Sequence, residues 1–314
     1  MKPITQEKDR LGFIGIGYMG LPIARRLLES GFKLTAYDQD HTKAAELIPY
    51  GGNVAQSVSE LSSGCNVVLS CLPSDEAVLD IYKGPDGVFA NGRRGSLFID
   101  LSTVYPETSR ELSRLGLERG MDVLDVTMSG STPVAEKGLL TLFGGGDKSS
   151  FDAAESIFRS IAQKYFYLGP SGSGATMKLV VNTLLGIGMQ AIAEAVALGE
   201  KAGLERNRLL EVLSHTAVVA PAHLGKLQRA MNQNYGPQFP IRLMNKDFGL
   251  ILELAATVGA RMPAADAAFE INARQSDEGA EQDFSAVILQ MEKRAHLGST
   301  DKRQTGIGVA PTRK

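Results

Sequence analysis

Between residues 11 and 38 the chain writes a strand, a glycine turn, a helix, a second strand and an acid, an order that few folds accept. Residues 11–16 (LGFIGI) form a short apolar run that reads as a buried strand. It feeds Gly15, Gly17 and Gly20, spaced G-x-G-x-x-G, and then LPIARRLLESG, a helix pattern that stops at Gly31. Residues 33–37 (KLTAY) give a second strand with Asp38 at its end. The glycines permit a tight turn and close approach of backbone to a pyrophosphate, which the helix N-terminus then meets with N–H groups and positive dipole. A carboxylate at Asp38 accepts from ribose hydroxyls and repels a 2′-phosphate. Gln39 and Asp40 follow with no arginine beside them, so NAD is the expected cofactor. Lys43 stands close enough to reach a phosphate and keeps NADP open.

The alternation continues. Strands are expected at 66–72, 96–101, 123–126, 139–143 and 165–168, with helices at 74–82, 106–120 and 149–161 between them. That pattern predicts a Rossmann-type, doubly wound parallel sheet over residues 1–170. Ligands of such sheets lie beyond the strand C-termini, where Asp38, Pro73, Thr103 and Ser129 each follow a strand. Residues 169–203 then run about thirty positions without proline, a helix of roughly 45 Å. That length exceeds a small domain, so the helix is expected to link two. After Gly203 only helix patterns remain, at 207–215, 223–231, 242–258, 264–274 and 284–294. The expected organisation is a sheet domain at 1–170, an all-helical domain at 171–296, and a mobile tail at 297–314.

Lys178 and Asn182 sit four apart on the long helix and share a face. Lys178 is flanked by Met177, Leu179, Val180 and Val181. Desolvation there lowers a lysine towards the range of a useful proton donor; the bland alternative is a lysine snorkelling from an apolar stripe. For Lys246 and Asp247 the bland alternative is a solvated pair at a helix start. Net charge is −2, which offers no basic surface for nucleic acid or a membrane. Cys65 and Cys71 are too few for a disulfide framework and suit a reducing cytoplasm. The first ten residues lack a signal-peptide core, and no uncharged 18-residue stretch is found. His215 and His223 match no metal-ligand spacing, so no metal is expected and solvated or capping roles are assigned to them. A stripe through Leu184, Ile187, Ala191, Ala195 and Leu198 is more apolar than a small helical domain needs and points to a homodimer or tetramer.

Four motifs in order, GFIGIGYMG (12–20), DVTMSGSTPVAEKGLLTLFGGGD (125–147), GSGATMKLVVN (172–182) and KDFGL (246–250), resemble the β-hydroxyacid dehydrogenase family. That family includes 3-hydroxyisobutyrate dehydrogenase and tartronate semialdehyde reductase, and the resemblance spans residues 11 to about 294. It implies an NAD(P)-dependent enzyme that interconverts a short β-hydroxyacid and its semialdehyde or keto acid. Lys178 would be the catalytic lysine, with Asn182 beside it. Ser129 and Gly130, with Ser131 after them, would bind a substrate carboxylate, and Lys246 and Asp247 would complete the site. Gly15, Gly17, Tyr18, Met19 and Asp38 would hold the cofactor, with Leu72, Pro73, Thr103 and Lys246 on its nicotinamide side. The chain departs from the family's D-A-P-V-S-G-G and G-A-x-x-G-T-L: Thr127 replaces the proline, Ser131 the second glycine, Val134 a glycine and Leu139 a threonine. Those changes bear on the substrate more than on the reaction class. Imine reductases share the architecture but usually replace the lysine. A non-catalytic dinucleotide-binding regulator need not keep Lys178, Asn182 and the Ser-Gly loop.

Overall fold

The computed structural model describes residues 1–274 and 277–297; the expected tail from 298 onward lies outside the described residues. Packing divides the described chain into two compact units, Met1–Ile187 with Gly236–Asp283, and Gly188–Tyr235 with the described residues from Phe284 on.

The first unit is built on an eight-stranded sheet. Its strands are β1 (Arg10–Ile14), β2 (Lys33–Tyr37), β3 (Asn53–Val54), β4 (Val67–Ser70), β5 (Leu97–Asp100), β6 (Asp122–Ser129), β7 (Leu140–Gly145) and β8 (Ala162–Gly169), in the order β3-β2-β1-β4-β5-β6-β7-β8. The order reverses direction between β1 and β4, the switch point at which such sheets open a crevice. Side chains alternate across it. Leu11, Phe13, Val67, Leu69, Leu97 and Ile99 join one core, with Ile23, Ala24 and Leu27 of the helix Gly20–Glu29. Ile14, Val68 and Phe98 join the other, under Val78, Tyr82 and Leu112. Burial on both faces explains why these strands read as continuous apolar runs. Each fully buried leucine or isoleucine contributes about 1.5–3 kcal/mol.

Three features differ from the sequence expectation. β3 has two residues, too short for any periodicity to register. β7 pairs with β6 antiparallel. The segment between Ser129 and Leu140, with its short helix Thr132–Glu136, is below the dozen or so residues that a parallel crossover needs, so the chain turns back. The expected helix at 149–161 is two helices, Lys148–Ala153 and Glu155–Ile161, broken where Ala154 N donates to both Ser150 O and Phe151 O.

The helix Ser173–Lys201 begins on the sheet. The Asp125 carboxylate accepts from Gly172 N at 2.9 Å and Ala175 N at 3.0 Å. Thr127 Oγ1 donates to Gly174 O at 2.7 Å. A Cβ at Gly174 would overlap the carbonyls of Asp125 and Phe143, so the backbones meet with no side chain between them. Further along, Gly186 packs on Met244 and Phe248 of the helix Ile241–Val258. These contacts put the boundary between the two compact units inside the long helix, between Ile187 and Gly188.

By mean hydropathy (1.6) and length this helix also meets the measure of a membrane-crossing one, and 44% of that window is buried inside the protein. Asn182 and Gln190 are among its buried residues.

The second unit contains the helices Arg206–Ser214, Pro221–Met231 and Val287–Arg294, with the end of the long helix. Arg206 organises it, donating to Glu292 Oε1 (2.7 Å), Ala230 O (3.0 Å) and Tyr235 Oη (3.0 Å). His215 is exposed at the C-cap of Arg206–Ser214, as a capping role would have it. His223 is buried rather than solvated, because Gly188 leaves room for its ring.

Replacing Asp125 with alanine leaves two buried N–H groups without an acceptor and is expected to cost about 1–3 kcal/mol. Urea unfolding checks this; an unchanged midpoint would show that the clamp carries no weight.

Candidate active site

At the end of β1 the backbone enters the glycine turn. Gly15 has φ +92° and donates to Tyr37 O at 2.9 Å. A Cβ on Gly15 would overlap Cys71 O, and one on Gly20 would overlap Gly15 O, so both are glycines because protein fills the space. Gly17 differs: nothing lies within 4 Å of where its Cβ would be. The helix Gly20–Glu29 has Met19 at its N-cap without a side-chain cap, and no acid in its first turn. An open face over uncapped N–H groups fits the pyrophosphate of a dinucleotide. Tyr18 is exposed beside it. Asp38 ties the turn down, Oδ2 accepting from Ile16 N (2.7 Å) and Oδ1 from Asp40 N (2.9 Å).

The loop after β4 borders the switch point, and the loop after β5 follows on the neighbouring strand. Leu72 is half-buried and Pro73 exposed. Thr103 turns its carbonyl to Lys246, whose ammonium donates to it. Lys246 Nζ also stands 2.9 Å from Asp247 Oδ1. Asp247 Oδ2 accepts from Asn182 Nδ2 at 2.5 Å. Thr103, Lys246, Asp247 and Asn182 thus form one continuous polar chain. Lys246 and Asp247 sit in the body of the helix Ile241–Val258, and Asp247 is 2% exposed, which removes the reading of a solvated pair at a helix start.

Lys178 is half-buried one turn before Asn182. Burial pulls its ammonium below the ordinary lysine range; the Asp247 carboxylate opposes that shift, and the Lys246 charge adds to it. Asn182 is fully buried and bonds to Asp247 rather than to the lysine, and its Oδ1 has no partner. An orphaned acceptor in a buried position is costly unless something donates to it.

Ser129 ends β6, Gly130 has φ +141°, and Ser131 is the N-cap of Thr132–Glu136 without a side-chain bond. Leu140 and Val134 crowd Gly130. This loop leans towards the glycine turn, with Thr132 Oγ1 3.5 Å from Tyr18 O, and bonds to neither Lys178 nor Asn182. Among the described residues no cluster of His, Cys, Asp or Glu could hold a metal. Sequence reasoning assigned no role to Asp125, Asp100 or Ser102; an aspartate inside an apolar strand run was the available signal.

Residues 10–169 match the family described as the NAD binding domain of 6-phosphogluconate dehydrogenase. Residues 172–291 match the NAD-binding family of NADP-dependent 3-hydroxyisobutyrate dehydrogenase. Glyoxylate/succinic semialdehyde reductase 1 of Arabidopsis thaliana is 34% identical, over 88% of this chain and 96% of its own. The NAD-dependent L-serine dehydrogenase of Pseudomonas aeruginosa is 33% identical, with the same coverage. The solved structure of Mycobacterium tuberculosis 3-hydroxyisobutyrate dehydrogenase with L-serine is 32% identical, covers 90% of this chain and 99% of its own, and superposes with a TM-score of 0.80.

Because the folded state lowers the Lys178 pKa below 10.5, the charged ammonium weakens the fold at neutral pH, and the penalty fades as pH climbs towards the unfolded value. Lys178→Met is therefore expected to melt no lower than wild type at neutral pH, with any gain closing as the solution becomes alkaline. Thermal melts across that range check it, and a variant several degrees less stable at neutral pH would contradict it.

Proposed function

The chain belongs to the 3-hydroxyisobutyrate dehydrogenase family of NAD(P)-dependent oxidoreductases, and we propose that in its own reaction Lys178 carries the proton between enzyme and a short β-hydroxyacid or its semialdehyde. The observation that supports this most is the half-buried Lys178 ammonium, lowered by desolvation, one turn from an asparagine anchored on a buried aspartate. A bound nicotinamide dinucleotide supplies or takes the hydride. In reduction Lys178 Nζ gives its proton to the carbonyl oxygen as negative charge develops there; in oxidation it takes the proton from the hydroxyl. Asn182 Oδ1, which lacks a partner, accepts from the Lys178 ammonium and orients it towards the reacting oxygen. Backbone N–H groups of Ser129 to Ser131 receive the substrate carboxylate, as anion nests do. The named relatives act on serine and on semialdehydes, small molecules of the class proposed here. Retention of Lys178 argues against imine reduction.

A cofactor-absorbance assay with short hydroxyacids, semialdehydes and cyclic imines tests the reading. Turnover on the acids or aldehydes is expected. On the substrate found, Lys178→Met should bind NAD normally and lose roughly 10²–10⁴ in kcat, with the alkaline or acid limb of the pH profile gone. Asn182→Ala should cost less. Near-normal kcat in Lys178→Met would leave the lysine a snorkelling helix residue, and turnover on imines alone would favour the alternative.

For the cofactor we propose NAD over NADP, on the strength of Asp38 and the lack of an arginine beside it. NADH should bind tighter than NADPH, and Asp38→Ala should narrow the gap; equal or tighter NADPH binding by wild type would reverse the assignment.

A homodimer or tetramer is proposed from the long helix, whose Leu184 and Leu198 are 73% and 72% exposed on a line with Ala191 and Ala195. Light scattering that finds only monomer at micromolar protein would contradict it. Two free thiols fit a cytoplasmic setting for this enzyme.

A further inference from the structure

At the C-terminal ends of β4 and β5 a buried polar network stands outside the proton-transfer residues. Asp100 closes β5, opposite Ser70 in register. Its Oδ1 accepts from Ser70 Oγ at 2.7 Å and from Ser102 Oγ at 2.6 Å, and Ser102 N adds a longer bond at 3.3 Å. Ser70 Oγ also meets Tyr82 Oη at 2.9 Å. Ser102 Oγ, having given its proton to Asp100, accepts from Leu72 N at 2.8 Å. Asp100, Ser102, Ser70 and Tyr82 are all at most 3% exposed.

Both ends of the network reach functional loops. On one side Leu72 presses its side chain against Gly15, 3.1 Å from where a Cβ would be, and Cys71 N continues the ladder to Ile14 O. On the other side the residue after Ser102 is Thr103, whose carbonyl holds Lys246 and through it Asp247 and Asn182. A buried aspartate in an apolar strand is expensive to keep, and packing alone gives no reason to keep this one.

We propose that Asp100 and Ser102 are positioning residues that lock the Leu72 and Thr103 turns to one another, and so set the cofactor cradle in register with the proton-transfer chain. This rests on the oxidoreductase reading above. Neither residue touches a reacting atom; both act through the backbone of their neighbours.

The test uses the full chain, with NADH as the probe. Ser102→Ala removes the acceptor of Leu72 N and is expected to weaken NADH about three- to ten-fold, the worth of one buried hydrogen bond. It should also speed hydrogen exchange at the Leu72 amide in the cofactor-free protein, and lower kcat with the KM for the carbonyl substrate near wild type. Asp100→Ala should reproduce these effects. Asp100→Asn, which keeps an acceptor oxygen, should recover most of the lost NADH affinity. A merely structural role would lower the melting temperature and leave NADH affinity and Leu72 exchange alone; that result, or an Asp100→Asn as weak as Asp100→Ala, would overturn the proposal. Should Asp100→Ala fail to fold, Ser102→Ala decides the matter through the same two binding and exchange readings. If wild type turned over no hydroxyacid or semialdehyde, the reaction reading would fall, while NADH affinity and exchange would still judge Asp100 and Ser102.

Discussion

Asp125 carries a carboxylate into the interior and sets it beneath the first turn of the long helix, where two backbone N–H groups donate to it. A helix begins with N–H groups that have no partner within the helix, and burial makes that lack expensive. An ion there meets both the orphan donors and the positive end of the dipole. The Thr127 hydroxyl adds a second tie to the same turn. Lys178 lies one turn further on and Asn182 two, so their distance from the sheet is inherited from this clamp. The helix Ile241–Val258 completes the arrangement, because Asn182 and Asp247 can bond only when the two helices are in one register.

The glycines divide by what stands in for their missing side chains. At Gly144, Gly145 and Gly146 the space is taken by the Phe151 ring, the Asp125 carboxylate and Leu124. In the sequence this run of three after a strand resembles a phosphate turn more than Gly17 alone does, yet of these four it is Gly17 that faces open space. Motif reading works at residues 15–20 because strand and helix bracket the glycines at the right spacing; glycine content alone separates nothing.

How much could be read in advance follows from how local each cause is. The buried strands, the glycine turn, Asp38 and the helix punctuation are written in neighbouring residues, so the alternating architecture was legible to within a few positions. The reversal of β7 depends on the length of a loop measured against the sheet, which only the assembled strands reveal. Lys178 and Asn182 stood out as polar residues on an apolar helix. What faces them was named only through the KDFGL motif: Asp247 comes from far along the chain, and its burial shows in no local pattern. Asp125 was visible within a motif, but its part in holding the helix needed the fold. Thr127 in place of the family's proline drew attention as a question about substrate; here its hydroxyl serves the helix start instead.

Asp100 and Asp125 also face each other across β5 and β6 in register, two buried carboxyls on adjacent strands. Burial lifts Asp100 to about 6, with the Asp125 charge adding to the shift, and burial raises Asp125 as well. The native protein therefore holds protons there that the unfolded chain has released by mildly acidic pH. Folding in that window draws protons from solution. The contribution of Asp100 is whole below the ordinary carboxylate range and drains away as pH rises through about 6, by on the order of 3 kcal/mol. At Asp100, acid, which unfolds many proteins by discharging their carboxylates, relieves the strain that its charge imposes at neutral pH.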